Sequence, residues 1–401
     1  MRQFALPHQT EILPVLSPAH PLWLVGFRPF FALACLAGLS LPIAWILIFK
    51  GVLPAPAQHF SPVQWHAHEM FFGFGWAVLG GFLLTSTKNW VGVRGYHGST
   101  LMFLAAAWVI ERIGMSFGGG WPLPLFLLSN NLFLCSIVVL LLATLIRNRD
   151  KDSYRRDNVF FLIVLPLFWV AKTLLLSPEH FNLGWSMALG IFRVAFLVML
   201  ERTLGQFMRG AFQVDILRQP ALDLAIKVLA IVLVFTALLP AALAHGLELV
   251  LAALLLGRFV FWHPLKGFRR IDIGIMYLGY LAIVAQLLID ALPPPGATGW
   301  VGTVGVHVFT FGAMGLVIPA MIIRIANGHT GRKVVFGKLE KTVLWIMILA
   351  FFLRLVGPQI VPGAYLRWLD LAATCWFAAF GLLAWRYIPQ LARPRIDGRE
   401  H

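Results

Sequence analysis

Phe27-Arg28-Pro29-Phe30-Phe31-Ala32-Leu33-Ala34-Cys35-Leu36-Ala37-Gly38-Leu39-Ser40-Leu41-Pro42-Ile43-Ala44-Trp45-Ile46-Leu47-Ile48-Phe49 decides the class of fold. After Arg28, the run reaches Phe49 without a formal charge. At about 1.5 Å per helical residue it is long enough to cross a hydrocarbon core of about 30 Å. The Arg at its start is not followed by a small-residue cleavage site, so this is expected to be a retained first span and not a signal peptide.

Runs of the same kind recur almost to the end of the 401 residues: 27 to 49, 62 to 85, 98 to 117, 122 to 146, 158 to 176, 184 to 208, 221 to 243, 246 to 262, 271 to 292, 300 to 325, 339 to 357 and 364 to 388. Hydrophobic residues make up 59% of the chain and charged residues 12%, too few charges to cover a water-soluble domain of this size. The expected fold is an all-α polytopic membrane helix bundle of twelve spans, with lipid as its main solvent. No interruption holds a second core. Residues 1–401 therefore read as one integral membrane domain with a short lead-in, 1–26, and a tail, 389–401. Cys35, Cys135 and Cys375 sit singly inside apolar spans and read as small buried hydrophobes.

Net charge is +15, from 32 Lys and Arg against 17 Asp and Glu. In a soluble chain this would suggest nucleic acid; here the charges sort by side of a membrane, and no nucleic-acid partner is expected. Arg147, Arg149, Lys151, Arg155 and Arg156 fill one connection, and Arg324, Arg332, Lys333, Lys338 and Lys341 fill another. Arg202, Arg209, Arg218, Arg258, Lys266, Arg269, Arg270, Arg386, Arg393, Arg395 and Arg399 fall on the same face. The connections near 177–183, 243–247 and 293–299 contain neither Lys nor Arg. Both termini are expected in the cytoplasm, with every even-numbered span running from outside to inside.

Ionisable groups at membrane depth are costly and are the first candidates for function. His8, His20, His59, His97, His180, His245, His263, His329 and His401 lie in loops, tails or at span ends and suit solvated or capping roles. His66, His68 and His307 remain. Span two opens Ser61-Pro62, a helix N-cap followed by proline at the first helical position, and continues Trp65-His66-Ala67-His68-Glu69-Met70. Residues two apart on a helix point to nearly opposite sides, so His66 and His68 are expected to do different work. Met70, Gly73, Ala77, Gly80 and Gly81 continue from His66 as a strip of mostly small residues, suited to a flat macrocycle or to close helix packing. Glu69 is near enough in sequence to orient His66 or to accept a proton.

His307 lies at a similar depth in span ten, which runs in the same direction. Axial ligation of one heme from two helices requires such a pair, with His68 as the substitute for His66. His68 and the Met70 thioether are candidate copper ligands. Arg112 and Arg354, in the same leaflet as Glu111 and Asp290, are candidates to pair with heme propionates. Arg193, Glu201, Lys172 and Lys227 sit elsewhere in spans five to seven and suit the lining of a proton or ion path.

Phe27-Arg28-Pro29-Phe30-Phe31, then Trp65-His66-Ala67-His68-Glu69-Met70 with Gly73-Phe74, then Gly81-Phe82-Leu83-Leu84-Thr85 and Asn89-Trp90, resemble the opening of the NnrS family. His307 with Thr310, Gly312, Gly315 and Met321, followed by Gly328-His329-Thr330-Gly331-Arg332, is similar to its late signature. The resemblance implies a bacterial inner-membrane protein carrying heme b and copper, tied to the nitric oxide response and to protection from nitrosative stress. That implication falls on His66, His68, Glu69 and His307, with His329 as a matched loop position. The twelve spans also look like the catalytic subunit of heme-copper oxidases and nitric oxide reductases, an architectural analogy. A second metal centre of that plan would need further histidines in the middle spans, and spans six and seven contain none. Two alternative functions follow. One is a heme-dependent, quinol-linked oxidoreductase that reduces nitric oxide or a related nitrogen species with Glu69 in a catalytic role; the other is a transporter, suggested by the scattered intramembrane charges.

Overall fold

The computed structural model describes residues 14–56, 60–155, 157–293 and 299–399; His8, His59, Arg156 and His401 lie outside the described residues. Twelve helices are long and apolar enough to cross a membrane: α1 Phe27–Phe49, α2 Pro62–Val91, α3 Ser99–Gly120, α4 Leu123–Arg147, α5 Val159–Leu176, α6 Phe181–Phe212, α7 Pro220–Leu238, α8 Ala241–Phe261, α9 Ile271–Ala291, α10 Val304–Gly328, α11 Lys338–Ile360 and α12 Pro362–Leu391. The described residues contain no strand. The chain is an all-α, multi-pass membrane bundle.

Burial separates the inner helices from the outer ones. The apolar stretches of α2, α6, α9 and α10 are 72–78% buried, whereas those of α1, α4, α5, α7, α8 and α12 are 33–39% buried. The first set forms the middle of the bundle and the second turns one side to lipid. Backbones approach closely where a side chain is missing: Gly184 of α6 stands against the backbone of Leu174 and Leu175, with no room for a Cβ. The small residues of α2 are used in the same way. A Cβ on Gly81 would meet Phe30 at 2.8 Å and one on Gly80 would meet Ile137 at 2.7 Å, so this strip is closed by helix packing and leaves no face for a macrocycle. Cys35 is buried, while Cys135 and Cys375 are only half-buried.

The start of α2 is built as its sequence suggests. Ser61 Oγ accepts from the Gln64 N–H at 3.3 Å, Ser61 N–H donates to Gln64 Oε1 at 2.8 Å, and Pro62 occupies the first turn. Gln64 Nε2 then donates to Leu175 O of α5 at 3.0 Å, which fixes the rotation of α2. Two inner helices then widen in the same manner. Glu69–Gly75 of α2 and Val308–Met314 of α10 are π-helical, each beginning on the residue after a histidine. Such turns shift the register of all later side chains and occur often at functional sites.

Arginines gather at the opposite end. Arg28, buried at the start of α1, donates from Nη1 to the carbonyls of Leu391 (2.9 Å) and Arg393 (2.7 Å), capping the end of α12. Glu201 forms ion pairs with Lys227 (3.1 Å), Arg258 (3.4 Å) and Arg218. Lys227 also reaches Asp157 (3.0 Å), and Arg258 reaches Asp223 (3.3 Å).

Candidate functional site

The two histidines of α2 lie in the regular turns just before its π-helical segment, two residues apart, and so point to separate places. His66 lies flat on Trp45 of α1, ring centroids 4.3 Å apart and planes within 11°. Among the described residues neither of its ring nitrogens has a hydrogen-bond partner. His307 opens toward the same place from α10. Its entry is set by Gly302 at φ +78°, where a Cβ would lie 2.7 Å from the Tyr365 hydroxyl. His307 Nδ1 is 2.7 Å from the carbonyl oxygen of Thr303 and 2.9 Å from its hydroxyl. A carbonyl only accepts, so Nδ1 donates to it and Nε2 is the nitrogen with a free lone pair. Arg354 of α11 brings Nη2 to 3.2 Å from the same Nδ1 and packs its guanidinium 6.0 Å from the centre of the Tyr365 ring. His66, His307 and Arg354, on three different helices, lie within electrostatic reach of one another. Both imidazoles are half-buried.

His68 turns the other way, into a fully buried ionic network. Its Nδ1 lies 3.1 Å from Glu69 Oε1, and its Nε2 faces the Asn130 amide and Glu111 Oε1, both at 3.3 Å. Arg112 bridges the two acids, with Nε 3.1 Å from Glu69 Oε2 and Nη2 3.1 Å from Glu111 Oε1. Lys172 of α5 closes the group on Glu111 and on the carbonyl of Asn130. Two carboxylates and two cations balance if His68 is neutral, which is the arrangement that lets charges persist away from water. Asn130 Nδ2 also lies 3.2 Å from Met115 Sδ.

Several sequence expectations change here. Glu69 does not orient His66: its carboxylate meets His68 Nδ1 and Arg112. Arg112 is held by Glu69 and Glu111 and stacks 5.2 Å over Trp108, so it does not reach the His66 and His307 side. His68 cannot take the place of His66, because both its ring nitrogens are engaged within the buried network. Met70 is half-buried against the apolar core and apart from that network. Lys172 belongs with Glu111 and not with a path through the middle helices. Arg193 donates to Gln286 Oε1 at 3.0 Å, and Gln286 continues to Asp290, whose carboxylate packs on Gly305. Arg193, Lys172 and the Glu201–Lys227 pair therefore belong to three separate clusters.

The donor chemistry separates the two cofactors. His66 and His307 would offer imidazole nitrogens to a heme iron, His307 with its ring oriented through its other nitrogen as metal-binding histidines commonly are. Arg354 beside them suits a propionate. These residues fit heme. Copper at His68 and Met70 does not fit: His68 is already occupied, and no group of three or more His, Cys, Asp or Glu able to hold a metal occurs among the described residues.

Trp45, Thr303 and Tyr365 around the histidine pair, and Asn130 and Met115 around His68, were not singled out by sequence. Only Thr303, one turn before His307, carried a readable signal, since a residue four before a helical histidine can bond its ring.

An all-α bundle of twelve apolar helices that brings two histidines and an arginine together near one end defines a multi-pass membrane protein with a paired-imidazole site. The chain belongs to the NnrS family: the family model for NnrS protein matches residues 21–395, nearly all of the described chain. It is a membrane protein of the nitric oxide response. No curated protein matches it.

Proposed function

We propose that this protein binds heme b between α2 and α10 through His66 and His307 and thereby protects against nitric oxide and nitrosative stress. The observation that carries the reading is the meeting of the two imidazoles with Arg354, while every ring contact of His307 falls on Nδ1. When bound, the heme iron supplies a site for nitric oxide and for electron exchange. His307, its ring fixed by donation from Nδ1 to the Thr303 carbonyl, would be the more firmly oriented of the two residues holding the group. His66 would hold it from a ring positioned by stacking on Trp45. In this reading the arginine-rich end lies in the cytoplasm of a bacterial inner membrane and the site lies near the outer face, following the charge asymmetry of the loops.

Reduced-minus-oxidised spectra with metal analysis test it. Wild type shows a heme b spectrum; His307→Ala abolishes it, His66→Ala converts it to a form with one ligand fewer, and His68→Ala leaves its ligation unchanged. Heme-free protein purified from heme-sufficient cells, or a spectrum indifferent to both His66→Ala and His307→Ala, refutes it.

The buried network supports a second reading, a quinol-linked oxidoreductase. His68 and Glu69, two and three residues along the chain from His66, join Glu111 and Lys172 in a set of ionisable groups that a reaction consuming protons would need. Quinol-dependent nitric oxide consumption that Glu69→Gln removes supports turnover; a heme-loaded protein that consumes none counts against it.

A further inference from the structure

Below the two π-helical turns lies a cavity that the histidine site does not use. It has a volume of about 40 Å³, is partly open, and is lined by α1, α2, α5, α6 and α10 through residues that include Phe31, Gly75, Val78, Phe161, Ala195 and Val317. Gly75 ends the wide turn of α2, and a Cβ there would stand 2.8 Å from Phe192 and 3.1 Å from Met314, the last residue of the wide turn of α10. The void therefore begins where the two turns meet, in the most buried part of the bundle.

Size and chemistry limit what it can hold. The lining is apolar except at its far end, where Arg202 makes cation–π contacts with Trp90 (4.6 Å) and Tyr154 (4.7 Å) and donates from Nη2 to Asn158 Oδ1 at 2.9 Å, while its buried Nε and Nη1 have no hydrogen-bond partner among the described residues. A buried water needs two to four polar partners, which the apolar part does not offer, and apolar cavities of this kind stay dry. An aromatic ring is too large, because a void of about 150 Å³ is what accommodates benzene. A quinone head is excluded on the same ground. Molecules of two or three atoms with little polarity fit, and they concentrate in the bilayer that surrounds α1 and α5.

We propose that this cavity is a binding site for small apolar gases, placed to store them beneath the paired histidines. Naming nitric oxide as the natural occupant rests on the function proposed above; the preference for small apolar molecules does not.

Crystals of the full-length protein pressurised with xenon test the site. Xenon density is expected among Val78, Ala195 and Val317. Ala195→Leu, which fills the void, abolishes it, and Val78→Ala, which widens the void, increases its occupancy. Helical circular dichroism and gel filtration confirm that each variant is folded. Absence of xenon from wild type, ordered water in its place, or xenon that persists at that position in folded Ala195→Leu overturns the proposal. Xenon bound there in a protein without a heme spectrum upholds the cavity and overturns the heme reading instead.

Discussion

Arg354 Nη2 stands 3.2 Å from His307 Nδ1 and 3.5 Å from Thr303 Oγ1, a cation beside an imidazole whose N–H is taken by the Thr303 carbonyl. In the heme reading this charge would pair with a propionate through a charge-assisted contact. Arg354→Gln is therefore expected to lower the heme-to-protein ratio of purified material while leaving the fold intact, read by pyridine hemochrome assay against circular dichroism. Arg354→Lys is expected to restore little, because a single ammonium lacks the flat fork that meets a carboxylate with two parallel hydrogen bonds. Full heme content in Arg354→Gln would show that the contact is incidental.

Lys172 and Glu111 test whether the buried network is a closed ionic unit. Breaking one partner of a buried pair costs about 3–5 kcal/mol because it leaves a charge uncompensated. Lys172→Met is expected to lower the yield and melting temperature of the detergent-solubilised protein sharply. Lys172→Met with Glu111→Gln together is expected to recover much of the loss. A double variant as unstable as the sum of the singles would deny the coupling.

His68→Ala separates stability from ligation. The change leaves the buried Glu69 carboxylate and the Asn130 amide each short of a partner, a cost of about 1–3 kcal/mol. Melting temperature should fall while the heme spectrum keeps its band positions. A loss of the low-spin bands in folded His68→Ala would move the ligand role to His68.

His329, beyond the end of α10, gives the stability a pH dependence. Its burial against Phe27, and then the positive charges of Lys88, Arg395 and Arg28, push its imidazole down to about 4. An unfolded chain takes up a proton near 6.5, so between 6.5 and 4 the unfolded state binds more protons than the folded one. The contribution is complete above about 6.5 and is lost as pH falls toward 4, at most about 1.4 kcal/mol per unit. Melting curves from pH 7.5 to 4.5 should show this decline, and His329→Gln should flatten it. Equal slopes for both proteins would count against the assignment.

Residue order alone determined the number of spans, because twenty apolar residues in lipid have one way to satisfy their backbone groups, which is to become a helix that crosses. It also determined the start of α2, since Ser61, Pro62 and Gln64 cap that turn through contacts three residues apart or fewer, and it separated His66 from His68 through helical periodicity. The partners of these histidines were decided by tertiary structure. Glu69 meets His68 and Arg112 and not His66, because α3 carries Arg112 against its carboxylate. Lys172 and Glu111 are 61 residues apart and meet because α5 packs beside α2 and α3. His66, His307 and Arg354 come from three helices whose contacts no sequence spacing encodes. Local hydrogen bonds and periodicity act over a few residues and can be read along the chain; the pairing of buried charges depends on which helices touch, and only the packed bundle settles that.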